Sequence, residues 1–273
     1  MISVIMIAAP LLVVTMGALI SEYAGRMAMF LEYIINLGAF FCYAFTLATG
    51  SAAAGTMLSI CSCTLMVAVM EWAASHFKAN MFLISLAMNM LFGSLATLFS
   101  FLLFKTRGVL YSDAFKFDAA SMRLYTSIAC YAFAILQLAL LRFTVPGLIL
   151  RVSGSDGDML LSQGINVSRY KMMSWIIAAA DGALCGCCLA LRLSSYVPGL
   201  SSGRGWIALA AVFLGRKKPA LCVAAAFVFA LSEWTSTNIQ NIDAFKNIPT
   251  SILLALPYLL SILLILLSGR KND

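Results

Sequence analysis

Charge is what this sequence has least of. Only 11% of its 273 residues are Asp, Glu, Lys or Arg, while 62% are hydrophobic. A soluble domain carries roughly 25% charged residues. A soluble core cannot hide this much apolar surface, so lipid must solvate most of the chain. Histidine is almost absent, with His76 the single example. That removes a histidine-rich metal centre. The chain also lacks H-E-x-x-H and G-x-x-x-x-G-K-S/T, and with them the usual zinc proteases and phosphate-cradling loops. No catalytic residue and no cofactor is therefore expected in this chain. Any energy for work must come from a gradient or from a partner protein. Strand-like alternation is missing too, and the apolar runs are too long for barrel strands.

What is present is apolar sequence in long runs: about 2–20, 30–48, 52–74, 80–104, 124–148, 172–191, 205–232 and 250–267. A spanning helix needs roughly 20 such residues. The expectation is an all-α polytopic membrane protein, one transmembrane domain over 1–273 with about eight spans. The N-terminus has no basic stretch before its apolar run and reads as a retained first helix, not a cleaved signal. The net charge of +7 sits between runs, where it sets orientation. No aromatic residues interleave a basic stripe, so nucleic acid is not an expected partner. The eight cysteines (Cys42, Cys61, Cys63, Cys130, Cys185, Cys187, Cys188 and Cys222) lie in or beside apolar runs. Cys185, Cys187 and Cys188 cluster, but a zinc site needs about four converging ligands. Buried apolar packing is the better reading, and no metal is expected.

The positive-inside rule orients the chain. With loop 151–171 in the cytosol, Arg26, Lys78, Arg142, Arg151, Arg169, Lys171, Arg270 and Lys271 fall inside. Lys105, Arg107, Lys116, Arg123, Arg192, Arg204 and Lys246 fall outside. The bias improves if Arg216, Lys217 and Lys218 face the cytosol. These three cations, with Pro219, split the 205–232 run into two pieces of roughly 20 Å each. Cations at mid-membrane are costly, and proline stops a continuous helix. A re-entrant element over 203–232 with its tip near the cytosol is expected; two tilted short spans are the alternative. Loop 105–123 is either an outer docking face or an ordinary solvated loop.

Polar residues inside apolar runs are few. Asp181 lies near mid-bilayer, either as the carboxylate of an ion-coupled carrier or as a hydrogen-bonded packing group. Asn89 is either interhelical glue or pore lining. Glu32 sits near a helix start, where its charge suits the dipole. Gly182 and Gly186 form a small-xxx-small pattern that predicts a close helix contact.

These residues resemble a family, the membrane permeases of bacterial ABC importers for nucleosides, simple sugars and related compounds. The family's cytosolic loop, R-A-x-G-x-N-P-x-A-A-x-x-x-G-I-N-V, is matched at Arg151, Gly154, Gly164, Ile165, Asn166 and Val167. A later string, V-P-G-x-x-x-G-R-G-F-I-A-L-A-A-x-x-x-G-x-x-x-P, is matched from Val197 to Pro219, with Trp206 replacing phenylalanine. S-E-x-x-G at 21–25, L-E at 31–32 and L-A-M-N at 86–89 are similar to further family strings. The family's N-P becomes Asp156-Gly157 and its paired alanines become Met159 and Leu160.

The resemblance implies a bacterial cytoplasmic (inner) membrane permease that works with three partners. These are an ATPase subunit carrying ATP and magnesium, a second permease copy or paralogue, and an extracytoplasmic binding lipoprotein. It implies that 151–167 forms one surface coupling helix, with Arg151, Gly154, Met159, Leu160, Gly164, Ile165, Asn166 and Val167 engaging the ATPase. Asn89, Asp181, Gly203, Arg204, Gly205 and Trp206 are the candidate route residues. The cargo it implies is nucleoside-like or riboflavin-like, with a ribose-type sugar as the alternative. A proton-coupled carrier using Asp181 remains the reading of another class.

Overall fold

The computed structural model describes residues 2–238, and it is helical nearly throughout. The helices are α1 (Ile2–Tyr23), α2 (Leu31–Thr49), α3 (Ala52–His76), α4 (Met81–Phe104), α5 (Ala119–Phe143), α6 (Val145–Ser153), α7 (Gly157–Ser162), α8 (Val167–Leu193), α9 (Arg204–Leu214) and α10 (Pro219–Asn238). One 3-10 turn, Asp113–Phe115, lies between α4 and α5. Backbone that cannot reach water must satisfy itself, and a helix does this within one segment. Seven of the helices are long and apolar enough to cross a membrane: α1 to α5, α8 and α10. The chain is therefore a multi-pass membrane protein. The expected span 250–267 lies outside the described residues.

Helix ends fall where the sequence supplies caps. Asn80 accepts from the Phe82 and Leu83 amides at 3.0 and 3.4 Å, and starts α4. Asp118 starts α5 by accepting from Ser121 N at 2.9 Å. Thr144 accepts from Gly147 N at 3.3 Å and starts α6. This divides the expected 124–148 run. Pro146 fits the first turn of α6, where its missing N–H is not needed, and could not continue α5.

Helices α1 and α8 form the centre, antiparallel and largely buried. Near one end Arg192 donates to Met6 O at 2.8 Å. In the middle Gly17 abuts Asp181. Helix α2 runs parallel to α8 and depends on bare backbone there. A β-carbon at Gly186 would lie 2.0 Å from Ile35 O, and one at Gly38 would lie 2.7 Å from Ala183 Cα. The small-xxx-small pattern at 182–186 does make a close helix contact, and its partner is α2. Helices α3, α4 and α5 turn apolar side chains such as Trp72, Met90 and Ile135 outward, as a lipid-facing surface requires.

Two ends of the bundle follow. One carries α7, Tyr23 and Lys217. The other carries Met6, Arg192 and the 105–118 loop, which is tied to the 194–203 segment by a two-way backbone pairing of Leu110 and Tyr196 at 2.9 and 3.0 Å.

Candidate functional site

Two helices start inside the bundle instead of at its surface. Helix α2 begins beside the middle of α8: Phe30 packs edge-on against Trp175 with ring centroids 5.4 Å apart, and Ile34 fills the space beside Gly182. Helix α9 begins beside the first turn of α2, since a β-carbon on Gly205 would lie 2.5 Å from Glu32 N. Each start exposes amide N–H groups that need acceptors. Neither start is capped by its own flanking side chain. Neighbouring helices supply the caps.

For α9 the cap is Glu32, only 8% exposed. Its Oε1 accepts from Gly203 N and its Oε2 from Gly205 N, both at 2.8 Å. The Ser201 hydroxyl donates to the same carboxylate. Asn36, one turn further along α2, holds Ser201 in place: its Nδ2 donates to Ser201 Oγ at 2.7 Å and its Oδ1 accepts from Ser201 N at 3.1 Å. A buried carboxylate is costly unless donors surround it. Here the donors and the positive end of the α9 dipole do so. For α2 the caps come from α4. Asn89 Oδ1 accepts from Tyr33 N at 3.1 Å, and Ser85 Oγ accepts from Met29 N at 2.7 Å. Arg204 pairs with Glu233 of α10 and also donates to Ser201 O at 3.2 Å.

From this node α9 runs to the α7 end of the bundle. Its 11 residues cover about 16 Å at 1.5 Å per residue. The turn at 215–218 lies beside the end of α1: Tyr23 donates its hydroxyl to Lys217 O at 2.6 Å, and Lys217 pairs with Glu22 at 2.8 Å. Helix α10 then returns with 20 residues, about 30 Å. The expectation of two equal pieces is thus corrected. The chain makes a non-helical limb (194–203), a half-length helix and a full span, because Pro219 starts a new helix at its first position.

The route residues expected from sequence divide. Gly203, Arg204, Gly205 and Asn89 gather around the Glu32 turn. Trp206 points away and is 39% exposed. Asp181 is elsewhere, fully buried between α1, α5 and α8, accepting from Gln137 Nε2 at 2.7 Å. Glu32, Asn36 and Ser201 were missed as site residues. The L-E pair was visible, but a single sequence shows the dipole of Glu32's own helix and not that of α9.

The coupling segment is also corrected. Residues 151–167 do not form one helix. Arg151 lies in the last turn of α6 and donates to Leu141 O at 2.6 Å. Gly154 packs under the α1–α2 turn, where a β-carbon would lie 2.2 Å from Tyr23 O. Asp156 caps the six-residue α7 through Met159 N at 3.2 Å. Gly164 turns the chain with φ +76°. Asn166 caps α8 through Arg169 N at 3.3 Å. Leu160, 5% exposed, packs with Ile149 and Val167, and Ile165 leans on them. Leu160, Ile165 and Val167 therefore face inward. The apolar groups α7 offers outward are Met159, 52% exposed, and Leu161, 58% exposed. A cavity of 610 Å³ lies nearby, lined by Tyr23, Leu141, Arg142, Arg151 and Pro219. No group of three metal-ligating side chains occurs among the described residues.

Comparison with known proteins adds four findings. A family model described as "Branched-chain amino acid transport system / permease component" matches residues 1–268. The guanosine ABC transporter permease protein NupQ of Bacillus subtilis is 29% identical over 94% of this chain and 87% of its own length. The putative glucose ABC transporter permease protein TsgC13 of Haloferax volcanii is 26% identical over 85% of this chain and 75% of its own. Among solved structures, an inward-facing putative metal-chelate type ABC transporter superposes with TM-score 0.55 at 19% identity, covering 95% of this chain and 84% of that one. That likeness speaks for the fold alone.

Proposed function

The chain belongs to the branched-chain amino acid transport system / permease component family, and on that premise we propose that it forms half of the route through which an ATP-driven importer carries a nucleoside-like compound across the bacterial cytoplasmic membrane. The class rests on the family match over nearly the whole chain. The cargo rests on one observation, the likeness to a guanosine permease along 94% of this chain. The glucose-named relative keeps a simple sugar as the second reading. Neither of these two relatives carries riboflavin in its name, so that expectation has no support from them.

In this reading a partner ATPase grips α7 by Met159 and Leu161. Movement of α7 passes to α6 and α8 through the Ile149, Leu160 and Val167 cluster. Gly154 passes it to the α1–α2 turn. The Glu32 node then links α2 to α9. A second permease completes the route, and a binding lipoprotein delivers cargo at the end bearing the 105–118 loop. ATP and magnesium are held by the ATPase.

Co-purification with the candidate ATPase tests the grip. The complex is expected to survive Thr64→Ala on α3 and to be lost with Met159→Asp plus Leu161→Asp. Retention in the double variant would overturn the assigned surface. Import into vesicles holding all four components tests cargo and energy source together. Guanosine should enter with ATP and compete against glucose, and collapse of the proton gradient should change nothing. Entry that follows the proton gradient and stops in Asp181→Asn would instead establish the carrier.

A further inference from the structure

The pair Asp181 and Gln137 plays no part in that mechanism, and its hydrogen bonding is incomplete. Both side chains are buried, Asp181 fully. Gln137 Nε2 donates to Asp181 Oδ1 at 2.7 Å. The other two oxygens, Asp181 Oδ2 and Gln137 Oε1, have no hydrogen-bond partner among the described residues. Both are acceptors, they sit on the same two contacting groups, and they lack one donor between them. Around them, α1 presents Gly17 and α8 presents Ala178. No charged group faces Asp181 from α1, α5 or α8 among the described residues. A β-carbon at Gly17 would lie 2.6 Å from Oδ2, so that oxygen rests directly against the α1 backbone. An ionised carboxylate without a cation, in the apolar centre of a membrane bundle, is strongly disfavoured.

We propose that Asp181 and Gln137 form a proton-binding site in which Asp181 is a neutral carboxylic acid, its Oδ2–H donating to Gln137 Oε1. One proton then satisfies both orphan oxygens. The terminal planes of Asp and Gln rotate easily, so a small turn closes a cyclic acid–amide pair. The site clamps α5 to α8 across α1. It binds a proton permanently and does not relay one, since no second titratable group faces it among the described residues. This inference needs only the membrane fold and stands apart from the proposed importer.

Asp181→Asn supplies the test, because an amide places N–H where the acid has O–H. Folding stability of the full chain in detergent is compared for wild type and variant between about pH 5 and pH 8. The unfolded carboxylate sheds its proton near the ordinary value of about 3.9. If the fold retains that proton, folding takes one up. Wild-type stability must then fall relative to the variant as pH rises, by about tenfold in the unfolding equilibrium per pH unit. All other groups titrate alike in both proteins and cancel. Infrared spectra near pH 7.5 should show a protonated carboxylic C=O band in the wild type that shifts on labelling aspartate with 13C and is missing from Asp181→Asn. A flat stability difference, or no such band in the wild type, overturns the proposal. A variant that cannot fold also overturns it, and points to a cation held by an ionised Asp181.

Discussion

Glu32 shows what a single side chain decides in this protein. Its two carboxylate oxygens cap Gly203 and Gly205, and its charge sits at the positive end of a half-length helix. Charge-assisted hydrogen bonds contribute about 1.5–3 kcal/mol each in typical cases, and an unsatisfied buried donor costs about 1–3 kcal/mol. Glu32→Gln keeps one acceptor and should cost about 1–2 kcal/mol. Glu32→Leu leaves both amides bare and should cost about 3 kcal/mol or more. Detergent unfolding of the two variants measures the difference; equal losses would mean that the carboxylate does not hold α9. Sequence pattern identified Glu32 as a helix-start residue and went no further. Which helix it serves depends on a contact across more than 160 positions, and no local signal encodes that. Asp181 was legible as unusual for the opposite reason, because a carboxylate inside an apolar run stands out by composition alone.

At the scale of elements, close helix contacts were easier to read than coupling surfaces. Glycines four residues apart on a spanning helix mean that another backbone comes close, and Gly186 meets Ile35 O. Gly186→Ala should therefore force α2 and α8 apart and cost about 1–3 kcal/mol. The matching change Gly164→Ala meets no atom within 4 Å but carries φ +76°, so it strains the backbone by about 1–2 kcal/mol. Thermal unfolding should rank Gly186→Val below Gly186→Ala. The coupling segment was legible in outline only. Its glycines and Asn166 were recognised, yet whether Leu160 or Leu161 points outward is a matter of one residue's rotation about α7, a helix too short to show periodicity. Likewise the break at 215–219 was plain from G-R-K-K-P. The unequal lengths on either side were not, because α9 starts at a cap provided by another helix.

The whole molecule is organised by its two ends. The turn at 215–218 and α7 lie at one end, tied through Tyr23, Glu22 and Gly154. The paired Leu110 and Tyr196 lie at the other. In a cysteine-free background, Lys218→Cys and Leu161→Cys should react with an impermeant thiol reagent from the same side, and Val109→Cys from the opposite side. Labelling of Lys218→Cys together with Val109→Cys would overturn this arrangement. The Tyr196 end also has a pH signature. Burial pushes the Tyr196 phenol up to about 12, against about 10 for a free tyrosine. The folded chain thus keeps a proton that the unfolded chain loses, and the associated stability is full below about pH 10 and lost as pH rises towards 12. Tyr196→Phe should remove this alkaline loss, measured as the wild-type-minus-variant stability across pH 9 to 12.

Composition by itself determined that this chain lies in a membrane and that its spans are helices. Run length and turn residues determined most helix boundaries, because those depend on neighbours along the chain. The tertiary structure alone decided which helices begin within the bundle, which side chains cap them, and which face of α7 is offered outward. These depend on groups far apart in sequence meeting in a medium without water, where each buried donor needs an acceptor and only the packed fold determines which one it finds.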